Sequence, residues 1–373
     1  MEPNPLHAAR RLVVKVGSAV LSGTGGLDPT RLHALARELA RLASEGRELV
    51  LVSSGAIAAA TPQLARPPRT LAELQAAAAL GQPELMRAWQ QALGEGGLRT
   101  AQVLLTADDL SERGRYANAR ATLERLLAWG VVPVINENDT VMTEEIRFGD
   151  NDQLAVLVAS MLAADLLVVL SEADALYERD PREDPRARPI RRVEAVTPEV
   201  MAMASDRPGS AGRGGMRSKL LAAAKAMEAG VPMWLLPGRL ERVLARAQAG
   251  EALGTFFPAR ARRYGGERLW LAQLPRPVGE LVVDEGAARA LREDGRSLLA
   301  VGVREVRGHW EAGSPVRVVD PGGELVGLGL CNYAADEVRR IAGQPSGRIP
   351  ELLGREGPAE VVHRNHFALA RDR

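Results

Sequence analysis

The chain has 373 residues, 46% of them apolar and 25% charged, with a formal net charge of +1. That length suits two domains, or one large domain with an appendage, and the apolar fraction is ample for a core. The near-neutral balance creates no general demand for nucleic acid or an anionic membrane, and a single cysteine, Cys331, excludes a disulfide framework or cysteine-rich metal site.

The first residues, MEPNPLHAARR, contain no apolar h-region, so a secretory leader is not expected. Residues 12–16 predict a short strand, after which Gly17 and Ser18 open a glycine-bearing loop. Asp28-Pro29 reads as an N-cap with proline at the first helical position, for a helix ending at Gly46. A second strand, 48–52, runs into the small-residue turn Ser53-Ser54-Gly55-Ala56, which opens another helix. Two alanine-rich helices, about 70–80 and 83–93, precede a third strand at 100–105, and a helix over 116–129 follows. The β-branched run Val131-Val132-Pro133-Val134-Ile135 reads as a buried strand of a parallel sheet. It stops at Asn136-Glu137-Asn138-Asp139, and Gly149-Asp150-Asn151-Asp152 then opens a long apolar helix.

The longest apolar stretch, 154–170, is interrupted by Asp165 and reads as helix then strand, not as a membrane span. Ser171-Glu172 and a charged, proline-rich loop follow. Residues 205–218 form a glycine-rich loop feeding a helix from about Met216, and a strand (231–236) and a helix (240–248) close a first domain, 1–257. Residues 258–277 read as a linker. From 278 to 373 the texture changes to short strands (280–283, 315–319, 325–330) and one helix near 334–340, a small β-rich second domain. The alternation of strands and helices before it predicts an α/β architecture with a mainly parallel sheet. A soluble cytoplasmic protein is expected.

The two polar clusters, 136–139 and 149–152, stand where ligands bind in open α/β sheets, at the carboxyl ends of strands. Crowded carboxylates repel one another unless a cation joins them. The plainer alternative is a polar turn plus an N-cap supplied by Asp150 or Asn151. Lysine usage sharpens the choice. Among 48 basic residues only Lys15, Lys219 and Lys225 are lysine, so lysine persists where a compact point charge is wanted in place of a planar guanidinium. Lys15 and Lys219 lie beside loops bearing Gly17 and Gly212, Gly214 and Gly215. Lys225, in mid-helix, reads as surface. Glycine lets backbone N–H groups approach phosphate oxygens, although neither loop matches the P-loop or dinucleotide fingerprint.

Together these features suggest a polyanion site between two loops. Asp152 is placed to orient both lysines, or else is a first-turn acid favoured by the helix dipole. Asp139 is a candidate partner for a substrate ammonium, and Asn151 a candidate donor to a substrate carboxylate. No histidine or serine–base pairing points to acyl transfer. The inventory fits phosphoryl transfer, in which positioning and charge stabilisation dominate.

With these residues in place, the chain resembles the glutamate 5-kinase family, a branch of the amino acid kinases. The match runs through VVKVGS (13–18), SSGAIAAA (53–60), PVINENDTV (133–141), FGDNDQLA (148–155), GGMRSKL (214–220) and VDEGAARAL (283–291). INEND followed by GDND is its most specific signal. The resemblance implies a three-layer α/β/α sandwich of the amino acid kinase fold and a C-terminal PUA domain. It further implies ATP-dependent phosphorylation of the L-glutamate side-chain carboxylate to L-glutamyl 5-phosphate, the first step towards proline.

By motif, Lys15 and Lys219 would neutralise the transferred phosphoryl group and Asp152 would hold them. Ser54, Asp139 and Asn151 would bind glutamate. Lys15, Gly17, Ser171, Glu172 and the run Arg213, Gly214, Gly215, Met216, Arg217, Ser218 and Lys219 would contact ATP, with Mg²⁺ bridging its phosphates and no protein ligand to the metal assigned. Glu172 stands where the family has aspartate, and Arg213 and Arg217 where it has small hydroxyl residues. The family also implies proline feedback inhibition, a homo-oligomer and a glutamyl-phosphate reductase that takes the product.

One rival is an amino acid kinase with another acceptor. Another, from a different class, is an RNA-binding PUA protein. Against the latter, residues 278–373 hold 13 arginines, no lysine and 15 acids, a net of −2, whereas nucleic-acid faces concentrate basic residues. A catalytically dead regulatory protein is a third reading, opposed by the intact lysine pair.

Overall fold

The computed structural model describes residues 4–106, 109–110, 112–141, 151–204, 215–260 and 277–370. The chain separates into two compact units, one drawn from Met1–Leu110 and Gly114–Arg262, the other from Ser111–Arg113 and Arg263–Arg373. Residues 261–276 of the expected linker lie outside the described residues.

The first unit is built on a seven-stranded sheet. In chain order its strands and main helices are β1 (Arg11–Val16), α1 (Pro29–Ser44), β2 (Glu48–Ser53), α2 (Ala56–Ala60), α3 (Leu71–Gly94), β3 (Arg99–Leu105), α4 (Arg113–Ala128), β4 (Val131–Glu137), α5 (Asn151–Met161), β5 (Leu166–Ser171), α6 (Met216–Glu228), β6 (Met233–Pro237), α7 (Val243–Gln248) and β7 (Thr255–Phe257). The strand order is β7-β6-β5-β1-β2-β4-β3. Every pairing is parallel except β6 with β7 at one edge.

The central strands are apolar on both faces, as a sheet covered on both sides requires. Leu12, Val14 and Val16 of β1 join one core with Leu32, Leu35 and Leu39 of α1 and Leu85, Trp89 and Leu93 of α3. Side chains alternate across a strand, so Val13 and Lys15 point to the opposite face, where α5 packs on β1 and α6 packs on α5. This gives helix, sheet and helix in three layers, the architecture expected. Asp28 caps α1 by accepting from the Arg31 amide at 3.2 Å, with Pro29 at the first position.

Two sequence expectations are corrected here. The segment read as two helices, about 70–80 and 83–93, is one 24-residue helix, α3, with Pro83 inside it. Proline removes one backbone hydrogen bond and usually breaks a helix. Here Ala77 and Ala78 before it and Leu85, Trp89 and Leu93 after it are buried along the same helix, and that burial outweighs the lost bond. A capping box at Thr70 and Glu73 fixes its start. Lys225, read as a surface residue, is half-buried on α6, and that burial pulls its pKa below the ordinary lysine value.

The second unit carries a five-stranded sheet. Its elements are β8 (Gly279–Val283), α8 (Glu285–Arg292), β9 (Val303–Gly308), β10 (Pro315–Val319), β11 (Leu325–Leu330), α9 (Ala335–Ile341) and β12 (Phe367–Leu369), with the strands ordered β9-β8-β10-β11-β12. Trp310, Cys331 and Tyr333 lie in its core with Leu281, Val316 and Val338. Among the described residues no helix is long and apolar enough to cross a membrane.

Candidate active site

Because β1, β2, β4 and β5 run parallel, their carboxyl ends emerge along one rim of the sheet. The backbone stitches that rim together: Gly17 N–H donates to the Leu170 carbonyl at 3.1 Å, and Ser54 N–H to the Val16 carbonyl at 3.1 Å. Gly55 follows at φ +116°, a left-handed conformation suited to glycine, and turns the chain from β2 into α2. The turn is anchored from α3, where the fully buried Trp89 donates its indole N–H to Ser53 Oγ at 2.8 Å.

Three charged side chains meet beside this rim. Lys15 reaches across the α5 face of the sheet, and its Nζ lies 2.5 Å from Asp152 Oδ1. Lys219, in the first turns of α6, places its Nζ 3.1 Å from Asp152 Oδ2. Asp152 is fully buried and the lysines are 5% and 7% exposed. Each carboxylate oxygen therefore carries its own ammonium. A carboxylate flanked by two lysines leaves a net positive charge, and in a site of low dielectric such a charge attracts anions strongly. The side chain sequence reasoning placed between the two lysines stands between them.

The two polar clusters also converge. Asn151, at the start of α5, donates through Nδ2 to Ser54 Oγ at 2.7 Å and to Asn136 Oδ1 at 2.9 Å, and Asn136 Nδ2 donates to Gln82 Oε1 at 2.8 Å. Both hydrogens of the Asn151 amide are engaged within this cluster. Asp139 lies in the 3-10 turn Asp139–Val141 just beyond β4, half-buried, and that turn packs against α3.

On the other side of Lys15, Ser171 ends β5 buried and accepts from the Ala173 amide at 3.2 Å. Glu172 lies 3.7 Å from Arg239. Gly215 is the N-cap residue of α6, and Met216, Arg217 and Ser218 form its first turn. The Ser218 Oγ is buried without a hydrogen-bond partner among the described residues. Arg213, Gly214, Gly149 and Asp150 lie outside the described residues.

Two contributors escape sequence reasoning: Gln82, which joins Asn136 in the buried amide row, and Arg239, which joins Glu172. A polar glutamine inside an alanine-rich helix was the available signal for Gln82. Arg239 offered none among so many arginines.

Comparison with known proteins gives the family. The amino acid kinase family matches residues 10–236, and the PUA domain matches residues 279–353. A glutamate 5-kinase of Meiothermus ruber is 54% identical over 99% of this chain and 98% of its own length. That of Thermus thermophilus is 55% identical over 98% of each chain, and that of Stutzerimonas stutzeri 48% over 98% of this chain and 99% of its own. The chain belongs to the amino acid kinase family, in its glutamate 5-kinase branch.

Proposed function

We infer that the protein transfers the γ-phosphoryl group of ATP to the side-chain carboxylate of L-glutamate, giving L-glutamyl 5-phosphate. The observation that carries this reading is the Lys15–Asp152–Lys219 bridge set beside the Ser54–Asn151–Asn136 cluster. A cationic centre adjoins a cluster of polar side chains, as a reaction between two anions needs. The acceptor carboxylate is already a nucleophile, so no general base is required. The barrier is charge repulsion, and the two ammoniums lower it by neutralising the phosphoryl oxygens as the groups close. Asp152 keeps the lysines side by side, Ser54 and Asn151 hold glutamate, and Asp139 takes its ammonium. Gly17, Ser171, Glu172 and the 213–219 segment bind ATP, the phosphates resting at the start of α6.

Magnesium supplies further charge neutralisation when bound. Among the described residues no group of three or more His, Cys, Asp or Glu is arranged as a metal site. Magnesium binds through one or two carboxylates, the substrate phosphates and several waters, so a dedicated cluster of protein ligands is not required.

This reading carries the first step of proline formation, with a cytoplasmic location, proline as feedback inhibitor, a reductase receiving the labile acyl phosphate, and a homo-oligomeric enzyme. The domain division 1–257, 258–277 and 278–373 belongs to the same proposal. Its test is ATP-dependent phosphorylation with L-glutamate beside N-acetylglutamate, aspartate and uridylate, on wild type and Lys219→Ala. Turnover confined to glutamate and lost in the variant is expected. Turnover with another acceptor keeps the phosphoryl chemistry and discards the substrate.

A further inference from the structure

Gln82, Asn136, Asn151 and Ser54 form one hydrogen-bonded row that ties α3 to the rim of the sheet. Gln82 and Asn136 are 8% and 3% exposed. A primary amide has two donors at one end and an acceptor at the other, so in such a row the orientation of one amide dictates the next. Gln82 Oε1 accepts from Asn136 Nδ2, which turns Asn136 Oδ1 towards Asn151. Asn151 Nδ2 then spends its two hydrogens on Asn136 and Ser54. Its Oδ1 is buried and accepts no hydrogen bond among the described residues. Leaving a buried carbonyl in that state is unfavourable, and a ligand N–H removes the penalty.

We propose that Asn151 presents this oxygen to the α-ammonium of the acceptor amino acid, and that Gln82 is a positioning residue that sets the polarity of the row. Ser54, accepting from Asn151, then turns its own O–H towards a substrate carboxylate. The proposal rests on glutamate being the acceptor and specifies how its amino group is read. Reversing all the amides would leave the heavy atoms in place but present an N–H at Asn151, which repels an ammonium.

The test compares wild type, Gln82→Met and Gln82→Glu at pH 8.5, with folding checked by thermal melts. An ionised carboxylate only accepts and pins the row as it stands, and pH 8.5 is chosen to favour that form against the rise in pKa that burial brings. The thioether leaves the row free to reverse. Gln82→Met is expected to raise KM for L-glutamate about tenfold, the scale of one lost hydrogen bond, with KM for ATP changed less than twofold. Gln82→Glu is expected to stay within about threefold of wild type. As competitive inhibitors, 4-aminobutyrate, which keeps the ammonium, should weaken in Gln82→Met, and glutarate, which lacks it, should not.

Equal increases in KM for both substrates would overturn the proposal, as would Gln82→Glu being as damaged as Gln82→Met, or glutarate weakening as much as 4-aminobutyrate. If neither analogue inhibits wild type, the KM split and the Gln82→Glu rescue decide. A wild type inactive on L-glutamate overturns the substrate assignment and the proposal together. An active wild type matched by Gln82→Met overturns the proposal alone.

Discussion

A methyl group added to Gly81 would stand 1.9 Å from the carbonyl oxygen of Ala56. It would also lie 2.6 Å from the Ala60 amide nitrogen. Both are backbone atoms of α2 and cannot swing aside as a side-chain tip does. Gly81→Ala must therefore push α2 and α3 apart, displacing Gln82 and the Ser54 turn together. Overpacking typically costs ~1–3 kcal/mol and sometimes more, so a loss of about 3 kcal/mol and a raised KM for glutamate are expected. Thermal melts with steady-state kinetics check this, and an unchanged melting temperature would show that the two helices separate without penalty.

Asp152→Asn leaves two buried ammoniums with no anion between them. Removing one partner of a buried ion pair costs about 3–5 kcal/mol, and kcat should fall about a hundredfold or more. ATP brings negative charge to the same place, so the nucleotide should raise the melting temperature of the variant more than that of wild type. Thermal-shift titrations give the comparison; equal shifts would mean that the phosphates do not reach the lysines.

The three lysines should respond differently to replacement. Lys15→Met and Lys219→Met remove the cationic centre and should abolish turnover. Lys225 is half-buried, with its pKa lowered first by desolvation and partly restored by Glu228. A base whose folded pKa is depressed destabilises the fold below that pKa, and the penalty fades as pH rises towards the unfolded value. Lys225→Met should therefore melt no lower than wild type at pH 7 and keep kcat within about twofold. A large loss of activity would place Lys225 in the site.

Burial pushes the Cys331 thiol from 9.0 up to about 11. The folded state favours the protonated thiol, so this stabilisation is present in full below about pH 9 and is lost as pH rises through about 11. Two pKa units correspond to roughly 2–3 kcal/mol. Iodoacetamide at pH 8 should leave the folded protein unmodified and label Cys331 after unfolding. Rapid labelling of the folded chain would contradict the buried placement.

The sheet was legible because its central strands, apart from Lys15 in β1, are apolar runs ending at a polar or small residue, as at Ile135–Asn136 and Val52–Ser53. The lysine bridge was legible because lysine is scarce in this chain and therefore informative. Helix α3 was not, since local rules stop a helix at Pro83 and only its burial on both sides keeps it whole. Strand β9, VREVRG, was left unassigned because most of its side chains face solvent and its pairing partner β8 defines it. Gln82 stood out only as a polar residue in an alanine-rich helix: its meaning lies in a contact with Asn136, 54 positions away, and the direction of an amide is not written in the residue itself.

The burial of Lys15 and Lys219, with Lys225 half-covered, also governs how the molecule can be modified covalently. Its exterior offers amine reagents almost no side-chain target, because arginine supplies the surface positive charge. Acylating probes and lysine-directed cross-linkers that cover ordinary proteins with background labels would meet a nearly inert surface here. Acylation at Lys15 or Lys219, as distinct from the half-covered Lys225, would report on opening of the catalytic centre, and its suppression by ATP would measure occupancy of that centre without an engineered reporter.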